Sequence, residues 1–555
     1  MKYSTSADER LQRVVAAQQR WLSRRGRPFD LAVHMDALWA IIAAIREANP
    51  FTERTLSLLL NQHRPAPGQH FTKAQLVQAY RHFVAQGRLP FEREMLRRLQ
   101  MKPVRTASGV TPVAVLTKPA PCPGQCIFCP TDVRMPKSYL SDEPGAMRAL
   151  QNDFDPYRQV MSRIESLESI GHSVDKVELL ILGGTWSAYP RSYQEWFVRR
   201  CLDALNGRDA PSLEEALAWN EHAPRRNVGL VIETRPDWIT PQEVIRLRRL
   251  GVTKVQVGVQ SLDDRILALN KRGHTVEEAR RAVRLLRLGG FKIHLHWMPN
   301  LLGATPESDR EDFARLWADP ALRPDELKIY PCMLIAETEL FHEWTRGAYR
   351  PYEEEELIEL LIECKTMVPR YCRLNRVVRD IPAQDIVAGT RTSNLREVVQ
   401  ARMRARGLRC QCIRCREVRH RPVAEADLHL EVLSYETDAT EERFISFVSG
   451  DDHLAGFLRL SLPRSEVSPE EQPQELRGAA VIREVHVYGP ALGIGDDNAG
   501  EAQHRGLGAR LIAEAERQAR AAGYRRLAVI AAVGTRGYYR RFGFELGELY
   551  MAKAV

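Results

Sequence analysis

Apolar side chains return every three to four positions in LAVHMDALWAIIAAI and FTKAQLVQAYRHFVAQ, the spacing of helices with one buried face. Turn-forming RPAPGQ separates the two. Residues 1–95 therefore read as a helical region, and KPVRTASGVTPV as the linker leading out of it. From about Val113 the period changes. Short apolar runs (VAVLT, KVELLILGG, NVGLVIET, TKVQVGVQ, KIHLHWMP and ELKIYP) read as strands. Helix patterns such as RSYQEWFVRRCLDAL and VEEARRAVRLLRL lie between them, and EEEELIELLIECKTMV follows the last. Parallel strands need helical crossovers, so six β/α units in succession predict a sheet curling into a partial, TIM-like (β/α)6 barrel. Its chemistry is expected at the C-terminal strand ends.

The pattern then changes again. Residues 386–425 are basic and contain CQCIRC. The last stretch mixes strands near LHLEVLSYET, ERFISFVS, LAGFLRLSL and GAAVIREVHVYG with a Gly-rich turn, the helix GARLIAEAERQARAAG and the strand YRRLAVIAAV. The predicted class is α/β, with a helical region over 1–95, the barrel over 96–385, a linker over 386–425 and a second α/β domain over 426–555.

Composition narrows the setting. The N-terminus MKYSTSADER lacks the apolar core of a signal peptide, and no apolar run approaches the roughly 20 residues of a membrane span. A cytoplasmic, reducing location with no membrane partner is expected, where the ten cysteines are ligands or buried thiols and not disulfides. Net charge is +9, and residues 1–100 hold 16 Lys and Arg against 8 Asp and Glu. RWLSRRGR and FEREMLRRLQ set this charge beside apolar residues, a footprint that suits phosphates, although a solvated helical surface has the same composition.

CPGQCIFC brings Cys122, Cys126 and Cys129 into one loop just after the first predicted strand. Three thiolates at C-x3-C-x2-C spacing leave one iron of a [4Fe–4S] cluster without a protein ligand. S-adenosylmethionine can chelate that iron and be cleaved by one electron to a carbon radical. A zinc loop would normally bring a second ligand pair at regular spacing, and none follows. The next strand ends agree: Gly183, Gly184 and Thr185 offer backbone groups to the methionine amino group, Glu233 and Arg235 suit ribose hydroxyls or the carboxylate, and Gln260 suits a further polar contact.

QHRGLG leads directly into a helix, so Gln503, His504, Arg505, Gly506, Leu507, Gly508 and Ala509 form a turn whose backbone N–H groups suit a pyrophosphate. With the bulge-like strand REVHVYG (Glu484, Val485, His486 and Val487) and YYRRFGF, this is the pattern of an acetyl-CoA-binding acetyltransferase (GNAT) domain. Tyr538 or Tyr539 is the catalytic candidate near the thioester, and Tyr539 also a candidate cofactor contact; a packed aromatic pair is the bland reading. Glu484 and His486 are candidate bases, on a strand that also has structural uses for them. CQCIRC offers Cys410, Cys412 and Cys415 to a structural Zn2+, with His420, Cys364, Cys372 or Cys332 as the fourth ligand.

Together with GGTW, IETRPDW, VQVGVQSLDD, NKRGHTVEEA, HWMPNLLG and VGTRGYYRRFGF, these motifs resemble the catalytic subunit of Elongator over nearly the whole chain. The resemblance implies a radical S-adenosylmethionine barrel joined to an acetyltransferase domain. It implies carboxymethylation of tRNA at C5 of the wobble uridine from acetyl-CoA, with an electron donor for the cluster and a basic tRNA-binding N-terminus. The cysteine loop is shorter than the C-x9-C-x2-C of eukaryotic members, which suggests a prokaryotic form acting without other Elongator subunits. The competing function is a protein lysine acetyltransferase with a vestigial radical domain. A non-catalytic tRNA scaffold is a third reading.

Overall fold

The computed structural model describes residues 7–25, 29–101, 106, 109–419, 423–488 and 506–555. Helices Met35–Glu47, Glu53–Gln62, Lys73–Ala85 and Arg93–Leu99 enclose a core of their own that includes Leu38, Ile41, Leu76, Tyr80 and Phe83. Thr52 and Thr72 begin two of these helices as capping boxes, satisfying backbone donors that a helix start leaves open. The first helix, Ala7–Arg25, lies against the barrel instead. Arg13 bonds Asp142 and Asp385 at 2.8 Å each, and Arg10 pairs with Glu337. Two of the basic charges counted above are thus neutralised within the chain. Gly26 and Arg27, at the end of RWLSRRGR, lie outside the described residues.

The barrel is a parallel sheet in sequential order: β1 (Thr111–Leu116), β2 (Lys176–Leu182), β3 (Arg226–Thr234), β4 (Lys254–Gln260), β5 (Lys292–Trp297), β6 (Glu326–Ile329) and β7 (Arg373–Arg376). The first six are the predicted strands, and the polar seventh extends the sheet to seven strands. Alternation explains the layout. Val255, Val257 and Val259 of β4 and Ile293, Leu295 and Trp297 of β5 are buried in the main core. The intervening Lys254, Gln256, Lys292, His294, Glu326 and Lys328 face the lumen.

The C-terminal domain contributes β8 (Leu428–Glu436), β9 (Thr440–Ser449), β10 (Leu454–Pro463), β11 (Ala480–Val487), β12 (Arg526–Val529), β13 (Glu545–Leu546) and β14 (Met551–Ala554). They form a second sheet in the order β13-β14-β12-β11-β10-β9-β8. Only β11 and β12 run parallel, and they pair over just three positions, ending at Ile482 with Val529. Beyond that point the distal half of β11 is free of β12. On its other side Arg459 opposes Glu484 while Leu460 opposes Ile482, so Arg483 is the extra residue of a bulge.

That bulge docks the two domains. Arg483 is fully buried and bonds Asp325 at the foot of β6 (2.8 Å to Oδ1), Glu442 (2.7 Å) and the carbonyl of Phe291 (3.1 Å). Arg459 joins Asp325 to Glu484, which pairs with Lys292. Lys292 and Lys254 then flank Glu326 at 3.4 and 3.3 Å, and Lys254 reaches Glu178 at 2.8 Å. A continuous line of alternating charge therefore runs from the acetyltransferase sheet across the barrel floor. Gly534 meets the backbone of Asn227 so closely that a Cβ would fall 2.7 Å from its carbonyl, so the domains touch backbone to backbone.

Candidate active site

At the top of the barrel, the cysteine loop turns sharply where Cys129 N–H donates to the Cys126 carbonyl at 3.1 Å. Cys122 Sγ accepts from Gly124 N–H at 3.4 Å and stands 3.6 Å from Thr185 Oγ1. Arg272 approaches Cys126 Sγ at 3.2 Å. The Cys129 thiol and the Arg272 and Arg235 guanidiniums hold Cys126 below the ordinary thiol range, against burial. The three sulfurs do not all fall within 4.8 Å of one another, the spacing that the Cys410, Cys412 and Cys415 thiols do satisfy. A single tetrahedral ion with metal–sulfur bonds of about 2.3 Å needs the tighter arrangement; a four-iron cluster needs the wider one. Donor type and the adjoining cations fit the cluster, while the Cys126 and Cys129 thiols stand in hydrogen-bonding contact with each other.

The other strand-end residues gather round this loop. Gly183 has φ +136° and Gly184 φ +96°, and a Cβ on Gly183 would collide with the Thr117 hydroxyl, so the turn after β2 requires glycine there. Thr185 is buried beside Cys122. Gln260 has φ +70°, rare for a side-chain-bearing residue, and its buried Oε1 has no hydrogen-bond partner, an acceptor left over for a ligand. Glu233 accepts from Tyr139 Oη at 3.3 Å and lies 3.8 Å from His296 Nδ1. Arg235 differs from expectation. Its guanidinium bonds Asp237 at 2.9 and 3.1 Å and the carbonyls of Arg272 and Gly273 at 2.8 and 3.0 Å, so it braces the loop behind the cysteines.

At the other end of the lumen, Gly506 opens the helix Leu507–Ala521 with φ +94° and open space beside its Cα. Gly508 lies against the Tyr538 hydroxyl so closely that any side chain there would displace it. Ala509 follows in the first turn, while Gln503, His504 and Arg505 lie outside the described residues. The two tyrosines separate: Tyr538 is half-buried and presents its hydroxyl to the turn, whereas Tyr539 is buried in the main core. Burial pushes His486 down to about 4, leaving a neutral imidazole whose Nε2 has no hydrogen-bond partner. Glu484 is tied up between Lys292 and Arg459, which removes it as a free base. Val485 and Val487 line the wall beside them.

One cavity of about 1990 Å³ joins these ends. Cys122, Cys126 and Cys129 line it above, His486, Tyr538 and Tyr539 below, and the lumen charges lie between. Sequence reasoning did not find this charged interior. The signal was present in the polar and charged residues at alternate positions of KIHLHW and ELKI.

Residues 121–316 match the radical SAM superfamily, 324–405 the radical SAM C-terminal domain and 413–544 the acetyltransferase (GNAT) family. The tRNA uridine(34) acetyltransferase of Methanocaldococcus infernus is 43% identical over 472 residues, covering 82% of this chain and 88% of its own. That of Dehalococcoides mccartyi is 45% identical over 453 residues, covering 81% and 98%. Elongator complex protein 3 of Homo sapiens is 37% identical over 483 residues, covering 84% and 88%. The chain belongs to the Elongator complex protein 3 family. The solved archaeal Elp3 of M. infernus with an N-terminal deletion (1–46) aligns at a TM-score of 0.70 and 39% identity, over 81% of this chain and all of that one.

In this Elp3-family chain the linker brings Cys410, Cys412 and Cys415 together. Lys365 is fully buried and its Nζ has no hydrogen-bond partner; with Arg396 it faces the three thiols, as suits an anionic tris-thiolate metal site. Cys364, Cys372 and Cys332 lie outside this group, Cys332 in a separate apolar cluster with Ile127 and Tyr349. His420 lies outside the described residues. Among the described residues no helix is long and apolar enough to cross a membrane.

Proposed function

We propose that this enzyme forms the carboxymethyl group at C5 of the wobble uridine of tRNA, taking the two-carbon unit from acetyl-CoA. The observation that carries this reading is one cavity lined both by the three cysteines and by His486 and Tyr538, the tyrosine whose hydroxyl lies against Gly508 of the helix-opening turn. The names of the relatives, tRNA uridine(34) acetyltransferase, support the substrate. When bound, a [4Fe–4S] cluster with one open iron supplies, with S-adenosylmethionine, a carbon radical able to take hydrogen from the acetyl methyl. Cys122, Cys126 and Cys129 hold the cluster. Gly183, Gly184, Thr185, Glu233 and Gln260 receive the methionine and ribose groups. Backbone N–H groups of the turn through Gly506 hold the CoA pyrophosphate, where the helix start favours anions. Tyr538 is the polar group at the thioester, whose hydrolysis leaves the carboxylate. The proposal includes an electron donor from outside the chain, zinc on the linker thiols, a cytoplasmic setting and action without other Elongator subunits.

The lysine-acetyltransferase alternative gains no support. It has no use for the three intact thiols or for a lumen linking them to the acetyl end. Mass spectrometry of tRNA nucleosides decides the matter: carboxymethylated wobble uridine should vanish on deletion of the gene and return only with the intact chain.

Two further outcomes follow. Gly506→Glu places a side chain where φ is +94° and a negative charge where phosphates sit, so acetyl-CoA turnover and uridine modification should both fail. Iron content should stay normal, because the cluster lies at the far end of the cavity. Affinity for tRNA should fall about a thousandfold between 50 and 200 mM salt if about six phosphates are contacted. Deleting residues 1–95 should weaken it strongly; filter binding across a salt series measures both.

A further inference from the structure

We infer that Arg272 sets the reduction potential of the cluster held by Cys122, Cys126 and Cys129, an inference that rests on the radical reading above. Arg272 stands in the loop after the helix Asp264–Leu269 that follows β4, far in sequence from the cysteines. It is 7% exposed, and Nη1 lies 3.2 Å from Cys126 Sγ. Nη2 donates to the Gly258 carbonyl, at a register shift in the pairing of β4 with β5. Gly258 leaves the room for this: a Cβ there would fall 2.7 Å from Nη2. Among the described residues Arg272 makes no ion pair with a carboxylate, so its charge is directed at the sulfur.

The loop is fixed from both sides. Arg235, locked on Asp237, donates to the carbonyls of Arg272 and Gly273, and Ile127 N–H of the cysteine loop donates to the Asn270 carbonyl at 3.3 Å. A buried cation donating N–H to a ligating thiolate stabilises the more negative, reduced cluster, and hydrogen bonds to sulfur are among the features that set such potentials. Removing it therefore makes the cluster harder to reduce. A guanidinium in this position also has another use, pairing with the S-adenosylmethionine carboxylate, and the test separates the two.

Wild-type protein, Arg272→Gln, Arg272→Lys and Gly258→Ala should be reconstituted anaerobically, assayed for iron and titrated by EPR-monitored reduction without S-adenosylmethionine. The midpoint should shift negative in Arg272→Gln and by less in Arg272→Lys. In Gly258→Ala, which keeps the charge but displaces Nη2, it should also shift negative. A wild-type midpoint in Arg272→Gln with full iron overturns the inference, and more decisively so if S-adenosylmethionine affinity has fallen. If Arg272→Gln fails to hold iron, unchanged midpoints in the other two variants overturn it equally. A wild-type chain that assembles no four-iron cluster would instead sink the radical reading, a distinguishable result.

Discussion

Cys126→Ala should take the iron content of the anaerobically reconstituted protein from about four per chain to near zero. Cys126 is the middle cysteine of a loop that is ordered by its own short turn and by the bond from Ile127 to Asn270. Its loss leaves two thiolates for a cluster that needs three, and leaves the Arg272 guanidinium facing a methyl group. Formation of 5′-deoxyadenosine should cease, while acetyl-CoA binding at the far end of the cavity persists. Iron analysis, chromatographic detection of deoxyadenosine and calorimetry with acetyl-CoA read these separately. Continued cleavage of S-adenosylmethionine by the variant would refute the cluster assignment.

Arg483→Met should destabilise the whole chain by about 3–5 kcal/mol, the range for removing one partner of a buried ion pair. Methionine fills much of the volume but leaves Asp325 and Glu442, both buried, without their shared cation. Burial alone would raise the Asp325 carboxyl; Arg483 first, then Arg459, hold it well below the usual carboxylate range. A depressed folded-state value means the pair's contribution is fully present above the ordinary aspartate range, about 4, and is lost as pH falls through the folded value. In the variant burial has less opposition, so the carboxyl titrates higher and mild acidification should recover part of the lost stability. Denaturant midpoints from pH 4 to 8 measure both effects; an unchanged midpoint at pH 7 would show that the interface does not depend on this residue.

How far the sequence was legible follows from what each element buries. β1 to β6 are marked by apolar residues on their outward face, packed under helices. β7 reads RLNR: of its four residues only Leu374 joins the core, so the apolar signal falls to one position. The cysteine loop after β1 and the glycine at the start of the helix Leu507–Ala521 stand where local spacing in the sequence puts them. The bonds that hold Arg235 were only partly legible: Asp237 is two residues away, but the carbonyls of Arg272 and Gly273 are 37 and 38 residues away. Glu484 misled because its fate is set by Lys292 on another domain. The interdomain pairing was invisible as geometry, since Arg483 and Asp325 are 158 residues apart. It was visible only as a charge inside the apolar strand AVIREVHV.

The line of charge across the barrel floor also bears on how such a two-part enzyme can change. A transplanted acetyltransferase half would expose Arg459, Arg483 and Glu442 without Asp325 or Lys292, and a barrel given a foreign partner would keep acids and lysines with nothing to complete them. Neither half is an exchangeable cassette. Substitutions at the floor have to be made in step on both sides, so the two halves cannot be separated one residue at a time.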